Sequence, residues 1–188
     1  MIFTQTRLSG AYLIEPERLH DERGFFARTW CREEFLAHGL KADLAQCNVS
    51  FNRLRGTLRG LHYQRAPHAE AKLVRCTRGA ICDVLLDLRS GSASLGRWQA
   101  FELSADNYSM LFVPAGLAHG FLTLADNSEV FYQMSEAHQP AAAAGVRYDD
   151  PAFRITLPEP VRVISARDQS YPDFENVDSA HFSVAAGH

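Results

Sequence analysis

Between Gly10 and Leu124 the chain is a succession of short apolar runs, each cut off by turn residues within a few positions. Runs of roughly four to eight residues bounded by Gly, Asn, Asp and Ser suit the strands of a sandwich or barrel rather than core helices. The strongest is Ala80-Ile81-Cys82-Asp83-Val84-Leu85-Leu86-Asp87-Leu88, stopped by Arg89-Ser90-Gly91-Ser92. Leu111-Phe112-Val113, Phe121-Leu122-Thr123-Leu124 and Glu129-Val130-Phe131-Tyr132 follow, with Ala125-Asp126-Asn127-Ser128 as the turn between the last two. Only one stretch, about Arg32 to His38, reads as a convincing helix, and Gly39 stands where a C-cap belongs. The expectation is an all-β chain with one or a few short helices.

Length and charge narrow the function classes. A chain of 188 residues fits a single domain, 1–188, able to build a core without staples; residues from about 176 to 188 are polar or small and are expected to form a flexible tail. A formal net charge of -3 lacks the basic footprint of a nucleic-acid binder. No apolar run approaches the roughly 20 residues that span a bilayer, and Met1-Ile2-Phe3-Thr4-Gln5 has no signal-peptide pattern. A cytoplasmic chain without nucleic-acid or membrane partners is expected. Cys31, Cys47, Cys76 and Cys82 show no CxxC spacing, so buried reduced thiols are expected.

Polar chemistry concentrates in Gln46-Cys47-Asn48-Val49-Ser50 and in Arg55-Gly56-Thr57-Leu58-Arg59-Gly60-Leu61-His62-Tyr63-Gln64. On a strand, Gly60, His62 and Gln64 would point one way and Leu61 and Tyr63 the other. A lone histidine is more often a satisfied core residue than a reactive one. A histidine flanked by Arg59 and Gln64 on a cavity-facing surface carries more polarity than packing needs.

Two spacings resemble the cupins. Gly56, His62 and Gln64 with the later Lys72 and Gly79 resemble the first cupin metal motif, and Pro114-Ala115-Gly116-Leu117-Ala118-His119 resembles the second. The resemblance implies a cupin-like double-stranded jelly roll. Its metal site, however, is dismantled: Gln64 replaces the second histidine, and Lys72 stands where an anionic ligand would be. A protonated ammonium cannot ligate and repels a divalent cation. The expectation is no metal and no cofactor. A cavity holding His62, Lys72, His119 and Tyr132 suits proton transfer on a carbonyl substrate, with histidine as base, lysine beside an enolate oxygen and tyrosine as acid.

The segments Asp21-Glu22-Arg23-Gly24-Phe25-Phe26, Gln46-Cys47-Asn48-Val49-Ser50, Leu58-Arg59-Gly60-Leu61-His62-Tyr63-Gln64, Lys72-Leu73-Val74, Pro114 to Phe121 and Asp149-Asp150-Pro151 resemble, in order, those of the dTDP-4-dehydrorhamnose 3,5-epimerase family. The resemblance implies an isomerase that inverts C3 and/or C5 of dTDP-4-keto-6-deoxyglucose by acid–base proton transfer beside the C4 ketone. His62 would be the base, paired with Asp168, Tyr132 the acid, and Lys72 the group beside the C4 oxygen. Arg59, Gln46, Asn48 and His119 match positions that bind sugar and diphosphate. Arg23 and Phe26 match residues supplied by a neighbouring subunit, implying a homodimer with exchanged N-terminal strands.

The departures are specific. The family usually has Glu where this chain has Arg28, Tyr at His138, Glu near Ala143 and Trp at Tyr148. Base, sugar and the choice between C3, C5 and double inversion stay open at this point; a single-site epimerase, or one acting on another nucleotide 4-keto-sugar, is the alternative. A metal-dependent cupin dioxygenase is disfavoured by Gln64 with Lys72. A sugar-binding module without turnover is disfavoured by the intact His62, Asp168 and Tyr132.

Overall fold

The computed structural model describes residues 1–174, so the tail expected from about 176 to 188 lies outside the described residues. The strands are β1 (Ile2–Gln5), β2 (Tyr12–Glu15), β3 (Arg18–Asp21), β4 (Gly24–Ala27), β5 (Gln46–Asn52), β6 (Leu58–Gln64), β7 (Lys72–Arg78), β8 (Ala80–Asp87), β9 (Trp98–Ser104), β10 (Met110–Val113), β11 (Leu117–Thr123), β12 (Ser128–Met134) and β13 (Ala143–Gly145). The helices are α1 (Arg32–Ala37) and α2 (Ala166–Gln169). The strands form a six-stranded sheet ordered β1-β2-β10-β7-β12-β5, a five-stranded sheet ordered β13-β6-β11-β8-β9, and the separate hairpin β3-β4. The named pairings are antiparallel. This is the all-β, jelly-roll-like architecture expected from the short apolar runs.

The sequence makes three apolar layers from two sheets. Between the sheets pack Val74, Leu111, Val113 and Val130 from the six-stranded sheet against Ile81, Leu85, Leu103, Leu117 and Phe121 from the five-stranded one. The outer face of the five-stranded sheet is also apolar, through Leu61, Tyr63, Val84, Leu86, Ala118 and Leu122. It is covered by Phe153, Ile155, Leu157 and Ile164 of the returning C-terminal segment. Helix α1 closes part of the third layer by setting Phe35 against Phe112, Ile14 and Met110. Strand β8 is therefore covered on both faces, which is why it reads as one continuous apolar run instead of alternating with polar residues.

Helix α1 ends at Ala37, and Gly39 follows with φ +70, a conformation glycine adopts without a Cβ penalty. The alanine-rich patch at Ala141 to Ala144 is the edge of β13, pairing Ala143 with Gln64 and Gly145 with His62. The expectation of buried thiols holds for Cys76 and Cys82 but not for the others: all four cysteines are free, Cys31 is partly exposed, and Cys47 lies on the exposed face of β5.

One local feature decides which side chains meet. His119 pairs with His62, but Phe121 pairs with Arg59, so β6 carries an extra residue opposite β11. This β-bulge re-phases the strand. Continued alternation through Gly60 would have set Arg59 on the side of Leu61 and Tyr63; the bulge turns Arg59 inward with His62. The backbones touch there: a Cβ on Gly60, at φ +124, would lie 2.5 Å from Gly120 Cα, and one on Gly120 would lie 2.7 Å from Arg59 O. Neither backbone can give way as a side chain would. Gly60→Ala is expected to cost about 3 kcal/mol or more, which lowers Tm by roughly 6–12 °C in a chain of this size; thermal melting followed by circular dichroism measures it.

Candidate active site

Between the sheets opens a cavity of about 690 Å³, lined by inward-facing residues of β6, β7, β11 and β12 and closed on one side by the segment carrying α2. Arg59, His62, Lys72, His119, Tyr132 and Asp168 all line it. Six of the ten site residues expected from sequence are thus brought together from five elements.

Asp168 reaches the cavity by a short chain of local causes. Thr57 bridges Val163 in parallel, and Leu58 N–H donates to Val163 O at 2.8 Å, which lays the C-terminal segment beside β6. Ser165 then caps α2, accepting the Asp168 N–H at 3.0 Å. Asp168 is left only 4% exposed under His62. Its Oδ1 accepts from His62 Nε2 at 2.7 Å and its Oδ2 from the Gly60 N–H at 3.3 Å. Burial by itself would raise the Asp168 pKa, but the hydrogen bond and charge of His62, with Gly60 and Ser165, outweigh it and hold the carboxyl below the usual aspartate range. An ionised carboxylate only accepts, so Nε2 carries a proton, and in the neutral imidazole Nδ1 is the nitrogen with the lone pair. Nδ1 has no hydrogen-bond partner among the described residues. That is the arrangement of a histidine base.

A second imidazole stands beside the first. His119, the register partner of His62, is buried and bonds through Nε2 to Asp83 Oδ2 at 2.9 Å. Asp83 projects from β8 between Ile81 and Leu85 and is fully buried; its Oδ1 has no hydrogen-bond partner among the described residues. Lys72 brings its Nζ to 2.8 Å from Glu70 Oε1 and donates to His62 O at 3.3 Å. Tyr132 lies on the inward face of β12, where burial raises its pKa, the charge of Arg59 offsetting only part, so the phenol stays protonated through the physiological range. Arg59 is aimed by Asn52, whose Oδ1 accepts from Nε at 2.7 Å; the terminal guanidinium nitrogens bond no protein group among the described residues.

The remaining expected residues fall elsewhere. Gln46 and Asn48 sit opposite Met134 and Tyr132 in register but are not in the cavity wall, which at β5 is made by Val49, Ser50 and Phe51. Gln46 instead holds the rim, accepting His138 N–H at 2.8 Å. Arg23 lies in the turn of the β3-β4 hairpin and pairs with Asp21, and Phe26 on β4 is 71% exposed; neither reaches this chain's cavity. Gln64, at the emptied metal position, ties the rim with its side chain, donating to His68 O at 2.8 Å and accepting from Gln139 N at 2.6 Å. Among the described residues no group of three or more His, Cys, Asp or Glu could hold a metal ion. Of the departures, His138 and Ala143 line the cavity, Tyr148 packs on the outer core and Arg28 pairs with Glu34 at 2.7 Å.

Reasoning from sequence missed Glu70, Asp83 and Ser165. Ser165-Ala166-Arg167-Asp168 does carry a helix-capping signature, serine followed three positions later by an acid, which would have taken Asp168 out of a solvated loop. Together the groups supply a base, a neutral acid, an ammonium and a free guanidinium around one space. They suit removal of a proton beside a carbonyl, stabilisation of the enolate and retention of a phosphate.

Comparison with known proteins agrees with this chemistry. Residues 5–176 match the family model described as dTDP-4-dehydrorhamnose 3,5-epimerase. A dTDP-4-dehydrorhamnose 3,5-epimerase from Sinorhizobium fredii is 39% identical over 92% of this chain and 89% of its own. The solved rmlC epimerase of Mycobacterium tuberculosis superposes with a TM-score of 0.90 at 35% identity, covering 96% of this chain and 92% of that one. ChmJ, a 3'-monoepimerase from Streptomyces bikiniensis solved with dTDP-quinovose, gives a TM-score of 0.82 at 35% identity over 89% and 85% of the two chains.

The lowered Asp168 pKa makes a stability prediction. A carboxyl whose folded pKa is depressed stabilises the fold above its unfolded pKa, and that stability is lost as pH falls through the folded value. The acid limb of Tm against pH therefore steepens below the ordinary aspartate value of 3.8. Asp168→Asn flattens that limb and lowers Tm at neutral pH, by about 1.5–3 kcal/mol in stability for a buried bond to a charged group.

Proposed function

The chain belongs to the dTDP-4-dehydrorhamnose 3,5-epimerase family, and on that premise we propose that it inverts carbons flanking the C4 ketone of dTDP-4-keto-6-deoxyglucose with the residues of this cavity. His62 Nδ1 takes the proton from C3 or C5, and the electron pair moves into the C4 carbonyl. Lys72 Nζ donates to the enolate oxygen. The Tyr132 hydroxyl returns a proton to the opposite face, and solvent restores the proton to Tyr132 and removes one from His62. Substrate and product have the same composition, so no redox partner enters. The observation that carries the reading is the 2.7 Å bond from His62 Nε2 to a buried, ionised Asp168, which leaves Nδ1 basic beside a cavity that also holds Tyr132 and Lys72.

Arg59, with its guanidinium ends unengaged, is read as the diphosphate contact, His119 as a sugar contact, and Gln46 and Asn48 as supports of the rim on which the nucleotide lies. Arg23 and Phe26 are read as gifts to the neighbouring copy's site. Leu19 and Phe26 are 68% and 71% exposed on the β3-β4 hairpin, and Val49 and Phe51 are also exposed on β5. Apolar surface of this kind supports a homodimer that exchanges the hairpin. The whole of 1–188 is read as one epimerase domain. Free thiols support a reducing, cytoplasmic setting. No described helix is long and apolar enough to cross a membrane.

A second reading, inversion of a single carbon or use of another nucleotide 4-keto-sugar, is favoured by one observation. Two of the family's usual side chains are replaced at His138 and Ala143, and both positions line the cavity.

In deuterated water, proton NMR with dTDP-4-keto-6-deoxyglucose is expected to show wash-in at C3 and C5; label at one carbon alone selects the second reading. His62→Asn lowers exchange by about 10²–10⁴-fold, the range for loss of a positioned base. Tyr132→Phe retains exchange at C3 and impairs net inversion. Undiminished exchange without His62, or full turnover without Tyr132, removes those roles. Among dTDP, UDP, GDP and CDP, dTDP is expected to raise Tm most, because it binds the folded state preferentially.

A further inference from the structure

Lys72 does not stand alone in the cavity wall. Glu70, two residues before it, is as deeply buried as Lys72 itself, with side-chain exposures of 3% and 8%. The carboxylate has two donors, one for each oxygen. Oε1 takes the Lys72 ammonium at 2.8 Å, and Oε2 takes the Gln64 N–H of β6, in the other sheet, at 3.0 Å. An ammonium has three N–H bonds. Glu70 engages one, His62 O engages a second at 3.3 Å, and one remains on a group that lines the cavity.

We propose that Glu70 is a positioning residue: by clamping the Lys72 ammonium against β6 it aims the remaining N–H at the oxygen on which the enolate charge develops. Glu70 itself lines the cavity, but both of its oxygens are already engaged by Lys72 Nζ and the Gln64 N–H. Its effect passes through Lys72, and it rests on the proton-transfer reading of the cavity given above. A free lysine has a flexible four-carbon stem, and its head would sample many directions. Two fixed acceptors remove that freedom before the substrate arrives, which is the condition under which a donor acts on a developing charge without reorganising. The buried charge is also matched by a carboxylate that is itself fully hydrogen-bonded, so the pair avoids the penalty of an unpaired ion.

The test compares kcat and KM for wash-in on dTDP-4-keto-6-deoxyglucose in the wild type, Glu70→Leu, Glu70→Ala and Glu70→Gln. The alanine variant leaves room for water to hydrate the ammonium, and so keeps a folded protein in hand if leucine does not fold. Both apolar variants are expected to lose about tenfold to a hundredfold in kcat, less than removal of an oxyanion donor itself costs. KM stays within roughly twofold, because the affected contact strengthens only in the transition state. Glutamine keeps one acceptor oxygen and recovers much of the loss. In a Lys72→Met background Glu70→Ala adds no further loss, since a residue acting through Lys72 has nothing left to position.

Wild-type kcat in a folded leucine or alanine variant, a loss carried by KM, or losses that add in the Lys72→Met background overturns the proposal. If the wild type itself gives no wash-in, it is the reading of the cavity that fails, and that is seen before any variant is compared.

Discussion

The close approach of Gly60 to Gly120 is the constraint on which the site depends. Two adjacent strands pass near enough that a Cβ on either glycine would strike the other strand's backbone. That contact accommodates the extra residue in β6, and the extra residue turns Arg59 to the inward side on which His62 already lies. The same turn presents the Gly60 N–H to Asp168, so the carboxylate that orients His62 is partly held by the bulge. Bulges commonly re-aim side chains next to reactive sites. Here one bulge sets the cation expected to hold phosphate beside the base and helps to hold the base's carboxylate partner.

A second regularity is that three basic groups of the wall each have their own buried carboxylate. His62 has Asp168, His119 has Asp83, and Lys72 has Glu70. The acids come from different elements, α2, β8 and the segment before β7, whereas the partners share the lining of one space. The result is a cavity whose charges are largely paired internally, with the ends of Arg59 left to meet an anion. A net charge of -3 on the chain is therefore compatible with an anionic ligand, because binding depends on local donors and not on the sum.

Much of this was legible from the residue order. Short apolar runs implied strands, and β8, β10 and β12 lie where their runs do. The helix ending before Gly39 was legible from its cap. Arg59, His62, Lys72, His119 and Tyr132 were legible as one chemistry because the residue types are reactive and the segments specific. Strand β11 begins at Leu117, four residues before the apolar run read as a strand and inside the segment that resembles the second cupin motif, because His119 continues the inward face begun by Leu117. Cys47 was misjudged because it shares the exposed face of β5 with Val49 and Phe51, and residue type alone does not say which face of a strand is covered.

The sequence by itself determined the strand-rich fold, the family and the candidate groups gathered in the cavity, because periodicity and residue type are local properties. The family resemblance already paired Asp168 with His62, but only the tertiary structure decided that Asp83 serves His119 and Glu70 serves Lys72. Asp168 is 106 residues from His62, and Asp83 is 36 from His119; these pairings arise where a returning segment and a neighbouring strand close on the same cavity. It also decided the face of Arg59, since a bulge cancels the alternation from which faces are read, and whether a strand lies at an edge. These depend on what packs across the sheet, and free energy of that kind belongs to contacts between residues far apart in the chain.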